Sequence, residues 1–126
     1  MAVNATGTTR AQGLPYVIAP IDLTLAVGVA ATLLAAPSDL TKRIRIMEID
    51  LSSNAANGVM TVGSHPASGA NTTMFISQVS TSNRWRDMSA AGIATADVGH
   101  GVEITSTIIA RLTGTIRYVL EQGTNP

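Results

Sequence analysis

The chain has 126 residues, no net formal charge and only 13% charged side chains, about half the charged share of an ordinary soluble domain. That length suits one domain, the charge balance disfavours a protein that tracks nucleic-acid phosphates, and the absence of cysteine excludes disulfides, thiolate metal sites and cysteine nucleophiles. Apolar residues make up 45% but aromatic ones only 3%, so the core is expected to be aliphatic and an aromatic-lined ligand groove is disfavoured.

Residues 1–20 (MAVNATGTTRAQGLPYVIAP) are small and polar and are punctuated by glycine and proline. Such a segment buries too little of itself to fold alone, which predicts a flexible or partner-bound N-terminal arm anchored through Tyr16, Val17 and Ile18. From Ile21 the pattern becomes strict alternation, with Ile21, Leu23, Leu25, Val27 and Val29 on one face. Period two predicts a half-buried strand with that face inward. Residues 23–36 are apolar but fall short of the ~20 residues a membrane-spanning helix needs, and the region before them is long for a signal peptide. No membrane partner is expected.

In residues 42–51 (KRIRIMEIDL) Ile44 and Ile46 share one phase and Met47, Ile49 and Leu51 the other. A β-bulge near Ile46–Met47 would explain the switch, because one extra residue reverses the facing of everything after it; the alternative is a strand buried on both sides, with Arg43, Arg45, Glu48 and Asp50 pointing to edges or partners. Asn57–Gly58 predicts a turn with positive φ, residues 59–62 its returning strand, and residues 63–73 a long surface loop. Residues 74–79 form a short strand, and the only tryptophan stands in Arg84–Trp85–Arg86. The alternation from Val102 to Leu112, broken at Thr113–Gly114 and resumed from Ile116 to Leu120, reads as a closing hairpin. Seven or eight short strands without a 3.6-residue period predict an all-β fold, an antiparallel β-sandwich of jelly-roll type over residues 21–122, with a polar tail at 123–126.

Chemistry is sparse. The two histidines, His65 and His100, each lie in a glycine-containing loop, whereas a metal site needs three or four converging ligands. Ser64, His65, His100 and Glu103 have no nucleophile elbow around them. Glu48 and Asp50 are spaced as a carboxylate pair, but a glycosidase also needs a cleft. No catalytic residue, metal or cofactor is expected. Tryptophan and arginine are enriched at interface hot spots, so Arg84, Trp85 and Arg86, with Arg43 and Arg45 two residues apart on another strand, are the candidate partner contacts. Their bland alternative is a core tryptophan with arginines paired to Asp50, Asp87 or Glu103.

Together, the small-residue arm, the aliphatic Thr-rich strands, the lack of cysteine and the closing LTGTIRYVLEQG resemble the capsid decoration, or cement, proteins of bacteriophages. The resemblance implies a non-enzymatic virion protein on the capsid exterior, made in the host cytoplasm. It would bridge major capsid proteins as a homo-oligomer, a trimer before a dimer. A small secreted carbohydrate-binding-like module, and a head–tail joining or tail subunit, are the rival readings.

Overall fold

The computed structural model describes residues 16–79, the backbone of 82–86, and residues 93–123. They form nine strands: β1 (Val17–Leu25), β2 (Ala31–Leu34), β3 (Lys42–Ser53), β4 (Gly58–His65), β5 (Thr72–Val79), β6 (Ser82–Arg86), β7 (Ala94–Thr95), β8 (Gly101–Ser106) and β9 (Ala110–Gln122). One sheet has the order β1-β9-β3-β6, with β7 also paired to β3, and the other β2-β8-β4-β5. All these ladders are antiparallel. The pairs β1/β9, β2/β8, β3/β6 and β4/β5 are nested, as if one long hairpin were rolled up until β9 met β3 and β8 met β4. That is the jelly roll that the alternation and turn spacing predict.

Between the sheets lies an aliphatic core that includes Ile21, Leu25, Ile44, Ile46, Ile49, Leu51, Met60, Val62, Val102, Ile104, Leu112 and Ile116. The largest side chains buried below 2% exposure are, among the described residues, all Leu, Ile, Val or Met. The expected bulge is present: β3 pairs with β9 in register up to Ile46↔Tyr118 and resumes at Glu48↔Arg117. Met47 is the extra residue, and it lets Ile44 and Ile46 share the inner face with Ile49 and Leu51. Asn57 has the positive φ expected of it, 77°.

Four local readings change. First, β1 begins at Val17, inside the stretch read as arm, and pairs Val17↔Tyr118 and Ile18↔Arg117; residues 1–15 and 124–126 of the expected arm and tail lie outside the described residues. Second, the inward face of β1 stops at Leu25. Gly28 turns the chain at φ 71°, and Val27 and Val29 are 59% and 58% exposed. Third, β4 and β5 take both ends of the expected 63–73 loop, including His65, and leave residues 66–71 between them. Fourth, Thr113–Gly114 is no turn. β9 runs through it between β1 and β3, with Gly114 opposite both Ile21 and Leu51. The reversal lies instead at residues 107–109, where the chain crosses from one sheet to the other.

The registers also define two ends. Loops 35–41, 66–71 and 96–100 share one end with Tyr16 and Gly123, tied by Gly123 N to Thr41 O and Gly99 N to Lys42 O. Loops 26–30, 54–57 and 107–109 share the other.

Candidate functional site

On the outer face of the first sheet Arg43 and Arg45 alternate with the core-facing Ile44 and Ile46, so both guanidinium groups leave on one side. Arg43 stands opposite Glu121 of β9. Its Nε donates to Glu121 Oε2 at 2.6 Å, while Arg45 donates from Nε to Oε1 at 2.8 Å and from Nη2 to Oε2 at 2.7 Å. Glu121 is only 5% exposed. The Arg45 hydrogen bonds hold its carboxyl below the ordinary value of 4.5 against the opposing effect of burial, and Arg43 adds to the lowering. The same bonds raise Arg45. The two arginines proposed as partner contacts thus bind a carboxylate of their own chain, while the alternative pairing of Arg84 and Arg86 with Asp50, Asp87 or Glu103 rests on side chains outside the described residues. Glu121 was not singled out from the sequence because its place beside them depends on the register of strands some eighty residues apart.

Tyr16 is likewise engaged within the chain. Met47, displaced by the bulge, and Val119 form a second apolar cluster with Tyr16 packed against it. Val119 points away from the core because its neighbours Tyr118 and Leu120 pack on the core side. The Arg117 guanidinium sits 5.3 Å from the centre of the Tyr16 ring, within cation–π range. Val17 and Ile18 remain exposed, at 38% and 62%. The backbone of Arg84, Trp85 and Arg86 pairs with Asp50, Ile49 and Glu48, while the side chains of these three lie outside the described residues.

At the end where Tyr16 enters, Ser64, His100 and Asp97 come together as no sequence motif suggested. Ser64 Oγ shares a 2.8 Å hydrogen bond with His100 Nδ1 and accepts one from the Asp97 amide at 3.0 Å. Asp97 Oδ2 lies 3.9 Å from the same Nδ1. A catalytic relay needs the imidazole to bridge serine and carboxylate through its two different nitrogens; here both partners face one nitrogen. Ser64 is also only 2% exposed. The cluster pins loop 96–100 onto β4, so Ser64→Ala is expected to lower stability by about 1–3 kcal/mol, the cost of leaving the Asp97 amide unpaired, read as a shift in the urea unfolding midpoint.

A parallel cluster staples loop 66–71. His65 Nδ1 meets Asn71 Oδ1 at 2.7 Å, and Asn71 Nδ2 donates to Glu103 Oε1 at 3.0 Å. Among the described residues no group of three or more histidine, aspartate or glutamate side chains is placed to hold a metal ion.

The opposite end has a different character. Gly28 N donates to Ser106 O at 2.9 Å, and Val59 and Thr107 exchange two bonds, Thr107 N to Val59 O and Val59 N to Thr107 Oγ1. These bonds draw loop 26–30, the start of β4 and loop 107–109 together. Their aliphatic side chains are left open: Val27, Val29, Val59 at 44% and Ile109 at 69% exposure. Beside them Ser52, Ser53, Asn54, Arg111 and Thr113 line a shallow open hollow of about 290 Å³. Arg111 is paired there with Asp22 at 3.2 Å.

No protein-family model and no curated protein matches the chain. A solved structure from work titled "Bacillus endospore appendages form a novel family of disulfide-linked pili" is similar, with a TM-score of 0.50 and 19% identity over 86% of this chain and 89% of that one. The likeness is one of fold. It agrees with the two-sheet β architecture read from the strand pattern.

Proposed function

We propose that this chain is a non-enzymatic structural protein that decorates and stabilises a phage capsid by bridging major capsid proteins. The observation that carries the reading is the contrast between its polar and apolar groups. The polar clusters around Glu121, Ser64 and Glu103 are built from side chains that bind one another, while aliphatic side chains stand open at the far end of the sandwich. Such a surface suits adhesion to a repeating lattice, where many modest contacts add through avidity. The N-terminal segment joins the sheet at Val17 and so leads directly from residues 1–15 into a rigid strand. A pull on that segment would be resisted by the β1/β9 ladder. Self-association of the chain, as a trimer before a dimer, belongs to the same reading.

The test is a chain lacking residues 1–15 but keeping Tyr16, since a longer deletion would strip β1 and uncover Met47 and Val119. The shortened chain is expected to keep its far-ultraviolet spectrum and melting temperature and to lose attachment to capsid shells, measured as copies per particle after sedimentation. Wild-type occupancy would remove the segment from the mechanism.

A second reading, a subunit of a filament, is favoured by the fold likeness to a protein of the Bacillus endospore pili. Without cysteine such a filament would be held by non-covalent contacts. Filaments grown from the purified chain alone, seen by negative-stain electron microscopy, would favour this reading over decoration.

A further inference from the structure

We infer that the apolar end formed by Val27, Val29, Val59 and Ile109 is the seat for residues 1–15 of a second copy of this chain, so that copies join head to tail. The inference rests on the reading of the chain as a self-associating structural subunit, but not on which particle it serves.

Three observations lead to it. The first is direction. β1 runs from Val17, at the end that holds Gly123 and loop 35–41, to Leu25, at the apolar end. Residues 1–15 therefore join the sandwich at the end opposite the patch. Its own patch lies one strand length away, about 30 Å for nine residues, so reaching it would take up most of the segment in doubling back along its own sandwich. A second copy stacked end to end brings its patch to the point where the segment begins.

The second observation is size. Summed over the four aliphatic side chains, these exposures leave on the order of 400 Å² uncovered at this end, about half of what one partner contributes to a stable interface. An extended segment supplies the missing area, and fifteen residues reach up to about 50 Å.

The third is composition. Residues 1–15 contain Met1, Val3 and Leu14 among Ala, Thr and Gly, with no acidic residue and Arg10 as the one charged side chain. Small side chains let a backbone lie close across loop surfaces, and the larger apolar ones match an aliphatic seat. At its margin stands the exposed Asp22–Arg111 pair, where Asp22 offers an acceptor to Arg10.

A contact between two different patches is heterologous: it closes into a ring or continues as a filament according to the rotation between copies. It also predicts complementation, which a symmetric contact does not. The full-length chain, the chain lacking residues 1–15 and full-length Ile109→Asp are compared by sedimentation velocity at micromolar concentration. Circular dichroism checks folding, and Val27→Asp serves as a second patch variant. The full-length chain is expected to sediment above monomer. The shortened chain and each patch variant are expected to be monomeric alone, and the shortened chain mixed with a patch variant is expected to give a 1:1 pair and nothing larger. Self-association of the shortened chain at the wild-type level would overturn the inference in favour of patch-to-patch contact. A monomeric full-length chain, or a mixture that stays monomeric, would overturn it as well. Capsid occupancy of the same variants is scored separately, so a failed pairing with intact decoration rejects this inference and leaves the proposed function standing.

Discussion

Gly114→Ala is expected to destabilise the fold by about 3–5 kcal/mol, from steric overlap and backbone strain together. Gly114 lies inside the first sheet, with β1 on one side and β3 on the other. Its φ of 153° is one that residues with a Cβ rarely adopt. A Cβ there would collide with the Asp50 carbonyl oxygen and crowd the Leu51 Cα, and neither is a side chain that can swing aside. Against a total stability of about 5–15 kcal/mol for a domain, that loss removes much of the margin. Gly28→Ala is the control. It also has positive φ, but nothing lies within 4 Å of its Cβ position, so only the backbone cost of about 1–2 kcal/mol is expected. Urea unfolding of both variants measures the difference, and equal midpoints would contradict the close approach of β9 and β3.

Glu121→Gln is expected to cost about 2–4 kcal/mol, because it keeps the shape but leaves the Arg45 and Arg43 guanidinium groups facing a neutral amide in a largely buried place. Side-chain exposure is 14% for Arg45 and 7% for Glu121. The pH dependence gives a second readout. The Glu121 carboxyl is held below its ordinary 4.5, chiefly by the Arg45 hydrogen bonds, so in mild acid the unfolded chain takes up the proton first. The carboxylate's contribution is complete above the ordinary glutamate range and is lost as pH falls through the lowered folded value. Wild-type stability should therefore fall below about pH 4.5, and Glu121→Gln should flatten that fall. An unchanged slope would mean that the carboxylate is not held by the arginines. Arg45→Lys should recover little, since an ammonium cannot reproduce the two-pronged contact.

Both predictions concern β9, the strand whose sequence was least transparent. Thr113–Gly114 has the composition of a turn, and a glycine that reverses the chain looks the same in sequence as one that lets two backbones meet. The reversal came at residues 107–109 instead, where Ser106 Oγ accepts from the Ile108 amide and donates to the Ile108 carbonyl. Val27 and Val29 misled in the opposite way. They continue the inward period of β1, but Gly28 takes the chain out of the sheet, and the two valines end up in the apolar patch. Periodicity reports which residues share a face only while the strand lasts.

Local physics governs the strands, the bulge and the turn. Two-residue alternation demands strands, the phase change at Ile46–Met47 demands a bulge, Asn57–Gly58 demands positive φ, and a chain with so few aromatic residues must pack an aliphatic core. These follow from side-chain direction and backbone sterics within a few residues, so an all-β aliphatic sandwich is legible in the residues alone. Which groups meet depends on the folded chain. Arg43 and Arg45 find Glu121, Ser64 finds His100, and Val59 meets Thr107, across separations of 36 to 78 residues. Such encounters are set by the order in which strands are laid into the sheets. That order comes from closing the whole core, and no short stretch of residues carries it.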